Sequence, residues 1–155
     1  MSTKLSIKKP YIVIDLSVYG SGKIFLFYSP KDFEKYHKKF IKNEKPFIHK
    51  ENIEQMLQTN YDDSGALTWS FGLHHVIVMN REKSEKNKNF YIGLLTHELS
   101  HAVIELFSYI SIPISPDNSE TFCYTIQYCL NQVLNKIKFE KKEKRKLKLS
   151  VNCSE

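Results

Sequence analysis

The sequence predicts a single α+β domain, and three observations carry that expectation. The first half holds two pairs of β-type runs separated by turn residues, and the second half holds two long segments with helical periodicity. At 155 residues and 41% hydrophobic content, the chain can bury one core without disulfides. In order, 11–16 and 23–28 read as strands joined by a turn through Gly20-Ser21-Gly22, a hairpin. Ser29-Pro30-Lys31-Asp32 opens a helix, with Phe33, Tyr36, His37 and Phe40 on one face. A short helix over 51–57 follows, and His49 before it reads as exposed. Asp62-Asp63-Ser64-Gly65 is a turn signal ahead of a second hairpin, 66–71 with 74–79. His74 and His75 are adjacent on a strand and therefore point to opposite faces, so at most one of them could serve a metal site. Residues 81–89 form a charged, solvated connection.

The next segment carries the chemistry. His97-Glu98-Leu99-Ser100-His101 lies in an apolar run free of Pro and Gly from 94 to 108. On a helix, residues four apart project from one face, so the two imidazoles converge on a point that can hold a metal ion. Glu98 turns away from ligation but stays close enough to take a proton from the attacking water. With 6 histidines in 155 residues, chance supplies about 0.02 such motifs, so accident is a poor explanation. Catalytic zinc usually takes three side chains, so a third ligand must come from elsewhere in the chain. Glu120 is the leading candidate: Ser115-Pro116-Asp117-Asn118-Ser119-Glu120 signals a second helix running to Leu134, and a short connection folds it back against the first. Asp117 is the alternative ligand. Asp117 and Glu120 also have the spacing of a capping box, which would occupy the Glu120 carboxylate instead. Glu105 is on the same rigid rod as the histidines and reaches poorly. Tyr124, one turn beyond Glu120, shares its face and can orient a ligand or stabilise an oxyanion.

These residues resemble the zincin metallopeptidases, whose extended motif favours the uncharged Leu99, Ser100 and Ala102 and the apolar Val103. The long metzincin form needs Gly and His where Ile104 and Phe107 stand, so that branch is excluded. The resemblance is to small gluzincins, especially the compact metallopeptidase-like proteins encoded by tailed bacteriophages. There the second helix carries a Glu followed four residues later by Tyr, as Glu120 and Tyr124 are here. It covers roughly 65–134. The resemblance implies a zincin-like fold, Zn2+ held by His97, His101 and Glu120, and hydrolysis of a peptide bond with Glu98 as general base. It implies that the strand just before the active-site helix, 74–79, is the sheet edge that accepts an extended peptide or protein substrate. A phage structural or assembly protein without activity is the competing expectation.

Charge and cysteines limit the remaining classes. Residues 136–149 hold eight Lys or Arg and two Glu, a net of +6, equal to the +6 of the whole chain. The sequence thus divides into a domain over 1–139 and a basic helix extension or tail over 140–155. No aromatic interleaving or recognisable motif accompanies those charges, so nucleic acid is not the expected partner. Cys123, Cys129 and Cys153 are an odd number without C-x-x-C spacing, which suits reduced thiols. Cys153 capping the zinc as a latency device is a further possibility. No leader pattern or apolar run long enough to span a bilayer stands out, so the expected site of action is the cytoplasm, that of the host cell for a phage-encoded chain, or the virion.

Overall fold

The computed structural model describes residues 3–7, 9, 11–44, 49–61, 64–80 and 87–141. Residues 81–86 of the charged connection, most of the basic tail and Cys153 lie outside the described residues. The fold is α+β, with a mixed four-stranded sheet and four α-helices among the described residues. In chain order these are β1 (Thr3–Ile7), β2 (Tyr11–Leu16), β3 (Gly22–Phe27), α1 (Pro30–Glu44), α2 (Lys50–Gln58), β4 (Ala66–Phe71), β5 (His74–Met79), α3 (Lys88–Tyr109), α4 (Ser119–Leu134) and β6 (Ile137–Lys141).

Period-two alternation along the strands gives the sheet two apolar faces. Ile12, Ile14 and Leu16 of β2, Ile24 and Leu26 of β3, and Ile77 and Met79 of β5 pack against α3 and α4. Phe25, Phe27, Val76 and Val78 point the other way, onto Phe33 of α1 and Ile53 and Met56 of α2. The first helix begins as its residues require: Pro30 needs no N–H partner in the first turn, and Ser29 accepts a bond from the Asp32 amide at 3.1 Å. His37 lies on the buried-facing side of α1, its ring 6.2 Å from that of Phe33, and its imidazole bonds the Glu34 carbonyl. His49 stands at the N-cap position of α2 without a side-chain cap bond and is exposed, as the sequence predicts.

Strand order is β2-β3-β5-β4, antiparallel except for the parallel pair β3 and β5. This corrects one expectation. The strand 74–79 is internal, not an edge, and all six of its residues are buried. A run so uniformly buried needs cover on both faces and a neighbour on both sides, which the parallel pairing with β3 supplies. The edge is β4, where Thr68 is half-buried and Ser70 exposed. Gly72, at φ +63° in the hairpin turn, lets the Tyr109 ring lie over it; a Cβ there would meet that ring at 3.1 Å.

The two sheet edges differ. On β2, the Gln132 side chain of α4 donates to the Asp15 carbonyl (3.1 Å) and accepts from its amide (3.3 Å), and the Lys136 ammonium donates to the Val13 carbonyl (2.9 Å). That edge is blocked. On β4 the Asn80 amide donates to the Gly65 carbonyl at 2.7 Å, which sets the phase: 65, 67, 69 and 71 bond β5, while the backbone groups of Ala66, Thr68 and Ser70 point outward. Pairing of β1 with β6 joins the two ends of the described chain. Sequence reasoning missed both strands. Residues 140 and 141, placed in the expected tail, close β6.

His75 shows what burial on both faces costs a titratable group. It is fully buried on the α3 side, and its Nδ1 lies 3.0 Å from the Ser70 hydroxyl. Its Nε2 has no hydrogen-bond partner among the described residues. Burial, helped by neighbouring His74, lowers its pKa from 6.5 to about 4. Below 6.5 the unfolded chain takes up a proton that the folded chain refuses, so stability falls as pH drops from 6.5 and levels off once pH is below about 4. The full loss is roughly 3 kcal/mol. Urea midpoints at pH 7, 5.5 and 4 should fall in the wild type and fall distinctly less in His75→Gln; equal slopes would contradict this account.

Candidate active site

Helix α3 opens on Asn87, whose side chain accepts from the Phe90 amide at 2.7 Å. It then runs alongside β4 in the same direction: Leu94 packs over Gly65, Glu98 meets Thr68, and Tyr109 covers Gly72. Leu95, Leu99, Ala102, Val103 and Leu106 are fully buried on its sheet side. That burial fixes the rotation of the helix and leaves His97 and His101 exposed on its opposite side.

The histidine pair converges as the spacing requires. The two Nε2 atoms lie 3.0 Å apart, with ring centroids at 4.6 Å and planes at 81°. Two nitrogens on one tetrahedral zinc, each about 2.05 Å from the metal, stand about 3.3 Å apart, so the pair fits a shared ion with little adjustment. Glu98 turns the other way and is 5% exposed. Its carboxylate Oε2 accepts from the Thr68 hydroxyl at 2.6 Å, and the same hydroxyl lies 3.2 Å from its carbonyl oxygen. Glu98 and the histidine pair thus point about 80° apart around the helix at 100° per residue, with Glu98 held against β4.

Glu120 and Tyr124 are placed differently. Helix α3 ends in a Schellman turn, with the Ile112 amide on the Phe107 carbonyl (2.9 Å), the Ser111 amide on the Ser108 carbonyl (3.2 Å) and Ser111 at φ 58°. The chain returns through a 3-10 turn at Pro116–Asn118, where Ser115 and Asn118 form the capping box. The Asp117–Glu120 box is not formed, so the Glu120 carboxylate is not spent on capping. Helix α4 runs antiparallel to α3, with the rings of Phe107 and Phe122 edge-on at 5.9 Å. Counting one residue up α4 for each one down α3 from that pair, His101 stands level with Tyr128, and Glu120 with Tyr109. That offset is about 12 Å along the axes at 1.5 Å per residue. Among the described residues no group of three or more His, Cys, Asp or Glu is gathered to hold a metal. The structure therefore brings His97 and His101 together and leaves Glu120 and Asp117 apart from them. Tyr124 is 64% exposed, one turn along from Glu120.

Other groups lie away from this site. His74 and His75 are both buried within the sheet, on opposite faces as expected. A pocket of about 540 Å3 opens at the carboxyl ends of β3 and β5, lined by Lys31, Glu34, His37, Asn60, Tyr61 and Asn80 among others. It belongs to the α1–α2 side of the sheet, and none of the predicted site residues reaches it. Cys129 is buried, which pushes its thiol up to about 12, while Cys123 is exposed. No helix among the described residues is long and apolar enough to cross a membrane. Thr68 is the residue that sequence reasoning missed. Its local signal was a hydroxyl, which Ser70 of the same strand also carries, and its meaning depends on where α3 packs. Compared with protein-family models, curated proteins and solved structures, the chain matches none of them.

Proposed function

We propose that this chain is a zinc-dependent metallopeptidase with a zincin-like arrangement of an HExxH helix beside an open sheet edge. The observation that carries the reading is the convergence of the His97 and His101 Nε2 atoms to 3.0 Å while Glu98, between them in sequence, is buried and held by Thr68. A structural zinc site needs no such carboxylate. His97 and His101 would hold the ion; Glu120, exposed and free of capping duty, has the donor chemistry of a third ligand but stands about 12 Å along the helix axes from the pair, so it would complete the set only after a shift of α4. When bound, zinc supplies Lewis acidity toward the scissile carbonyl and a water of lowered pKa. Glu98 would act as general base, taking a proton from the attacking water and giving it to the leaving amine. The outward backbone groups of Ala66, Thr68 and Ser70 offer an extended peptide a strand to pair with, so substrate docks along β4.

A second reading has its own observation. The separation of Glu120 from the histidine pair suits a zincin-like binding or assembly protein, such as a phage particle component, in which the site is not completed. Elemental mass spectrometry of the untagged protein, with Glu120→Ala alongside, tests the two. About one zinc per chain, weakened at least tenfold in affinity by Glu120→Ala, is expected. A folded protein that holds no zinc after reconstitution would favour the binding role, and zinc unaffected by Glu120→Ala would move the third ligand elsewhere.

A further inference from the structure

We propose that Thr68 is the positioning residue for Glu98, tying the general base to the strand on which an extended peptide docks. The inference rests on the metallopeptidase reading and extends it to a residue outside the HExxH helix. Three observations meet at this one position. The Thr68 hydroxyl donates to Glu98 Oε2 at 2.6 Å, the length of a charge-assisted O–H···O⁻ bond. The Glu98 side chain is 5% exposed, and Thr68 is its only hydrogen-bond donor among the described residues. The backbone amide and carbonyl of Thr68 belong to the outward-pointing set of β4, whose one strand neighbour among the described residues is β5.

A glutamate has three side-chain torsions, and a carboxylate without a fixed donor would sample several orientations. The hydroxyl selects one of them. β-Branching restricts χ1 of Thr68, and its strand is braced across β5 by the register Thr68 with Ile77, so the donor is itself rigid. The same residue that would exchange backbone hydrogen bonds with a docked peptide therefore sets where the base stands. Pairing through the Thr68 backbone contributes to substrate binding, and the Thr68 side chain contributes to the proton transfer.

That division gives the test. Thr68→Val keeps the shape, the strand and the backbone pairing but has no hydroxyl; Thr68→Ser restores the hydroxyl. On the best substrate from a peptide library, Thr68→Val should lower kcat about 10- to 100-fold with KM within twofold, at unchanged zinc content and a retained fold. Thr68→Ser should recover most of kcat. Independently of turnover, the proton spectrum should contain a slowly exchanging, downfield hydroxyl resonance that is absent in Thr68→Val and displaced in Glu98→Gln. Unchanged kcat in Thr68→Val, a Ser variant no better than Val, or a spectrum with no Glu98-sensitive hydroxyl proton would each overturn the proposal. A zinc-loaded wild type that cleaves nothing removes the peptidase reading instead, and the hydroxyl resonance then decides whether Thr68 holds Glu98.

Discussion

Glu98→Gln should retain zinc and fold yet lose peptide cleavage by about 10²- to 10⁴-fold, the usual contribution of a positioned general base. The amide is nearly isosteric with the carboxylate and can still accept from the Thr68 hydroxyl, so the buried contact at 2.6 Å survives. The helix also survives, because Leu99 and Ala102 on its sheet side are untouched. What disappears is the lone pair able to take a proton. Kinetics on a library-derived peptide, paired with metal analysis of the same preparation, separate this outcome from its alternatives. A variant that turns over like the wild type would show that Glu98 is a buried structural carboxylate and that any cleavage uses another base. A variant that loses zinc as well would place Glu98 in the ligand set. By contrast, His97→Ala or His101→Ala removes half of the converging pair and should abolish binding and turnover together.

The parts of this protein legible in its sequence are those encoded locally. The helix over Pro30–Glu44 announces itself by Ser29-Pro30, the first hairpin by Gly20-Ser21-Gly22, the second by its two β-type runs after the turn signal at 62–65, and the histidine pair by its i, i+4 spacing. Long-range pairing was not legible. Nothing near 74–79 says that this strand lies parallel to β3, yet that pairing moves the edge of the sheet to β4 and with it the proposed docking surface. The β1–β6 pairing joins Thr3–Ile7 to Ile137–Lys141, and the lysines of the second segment read as solvated charge until a partner strand is known. The level of Glu120 relative to His101 is set by the Schellman turn at Ser111 and the 3-10 turn at Pro116–Asn118. Ser111 adopts φ 58° where glycine is the ordinary signal, so spacing alone cannot locate the return of the chain. The helix and the convergence of its two histidines were thus readable, whereas the contact of Thr68 with Glu98 became visible only once α3 was seen to lie along β4.

Phe107→Ala should be strongly destabilising, by about 3–5 kcal/mol. Its ring is fully buried and meets Tyr19 at 5.6 Å and Phe122 at 5.9 Å, both nearly edge-on. Tyr19 belongs to the β2–β3 turn and donates to the Thr125 hydroxyl at 2.6 Å, while Phe122 and Thr125 belong to α4. One side chain therefore joins the sheet, the HExxH helix and the helix that carries Glu120. Alanine opens a cavity among three elements that are each held by other contacts and cannot easily collapse into it. Against a total stability of about 5–15 kcal/mol, such a loss should lower Tm by about 10 °C. Phe107→Leu, which keeps most of the volume, should cost about 1 kcal/mol. A double-mutant cycle with Phe122→Leu isolates the ring pair and should return a coupling of about 0.5–1.5 kcal/mol. A coupling near zero with Phe107→Ala still severe would assign the loss to the cavity; a mild Phe107→Ala would mean that α4 is seated by Cys129 and Val133 instead, and that its register against the histidines does not depend on this ring.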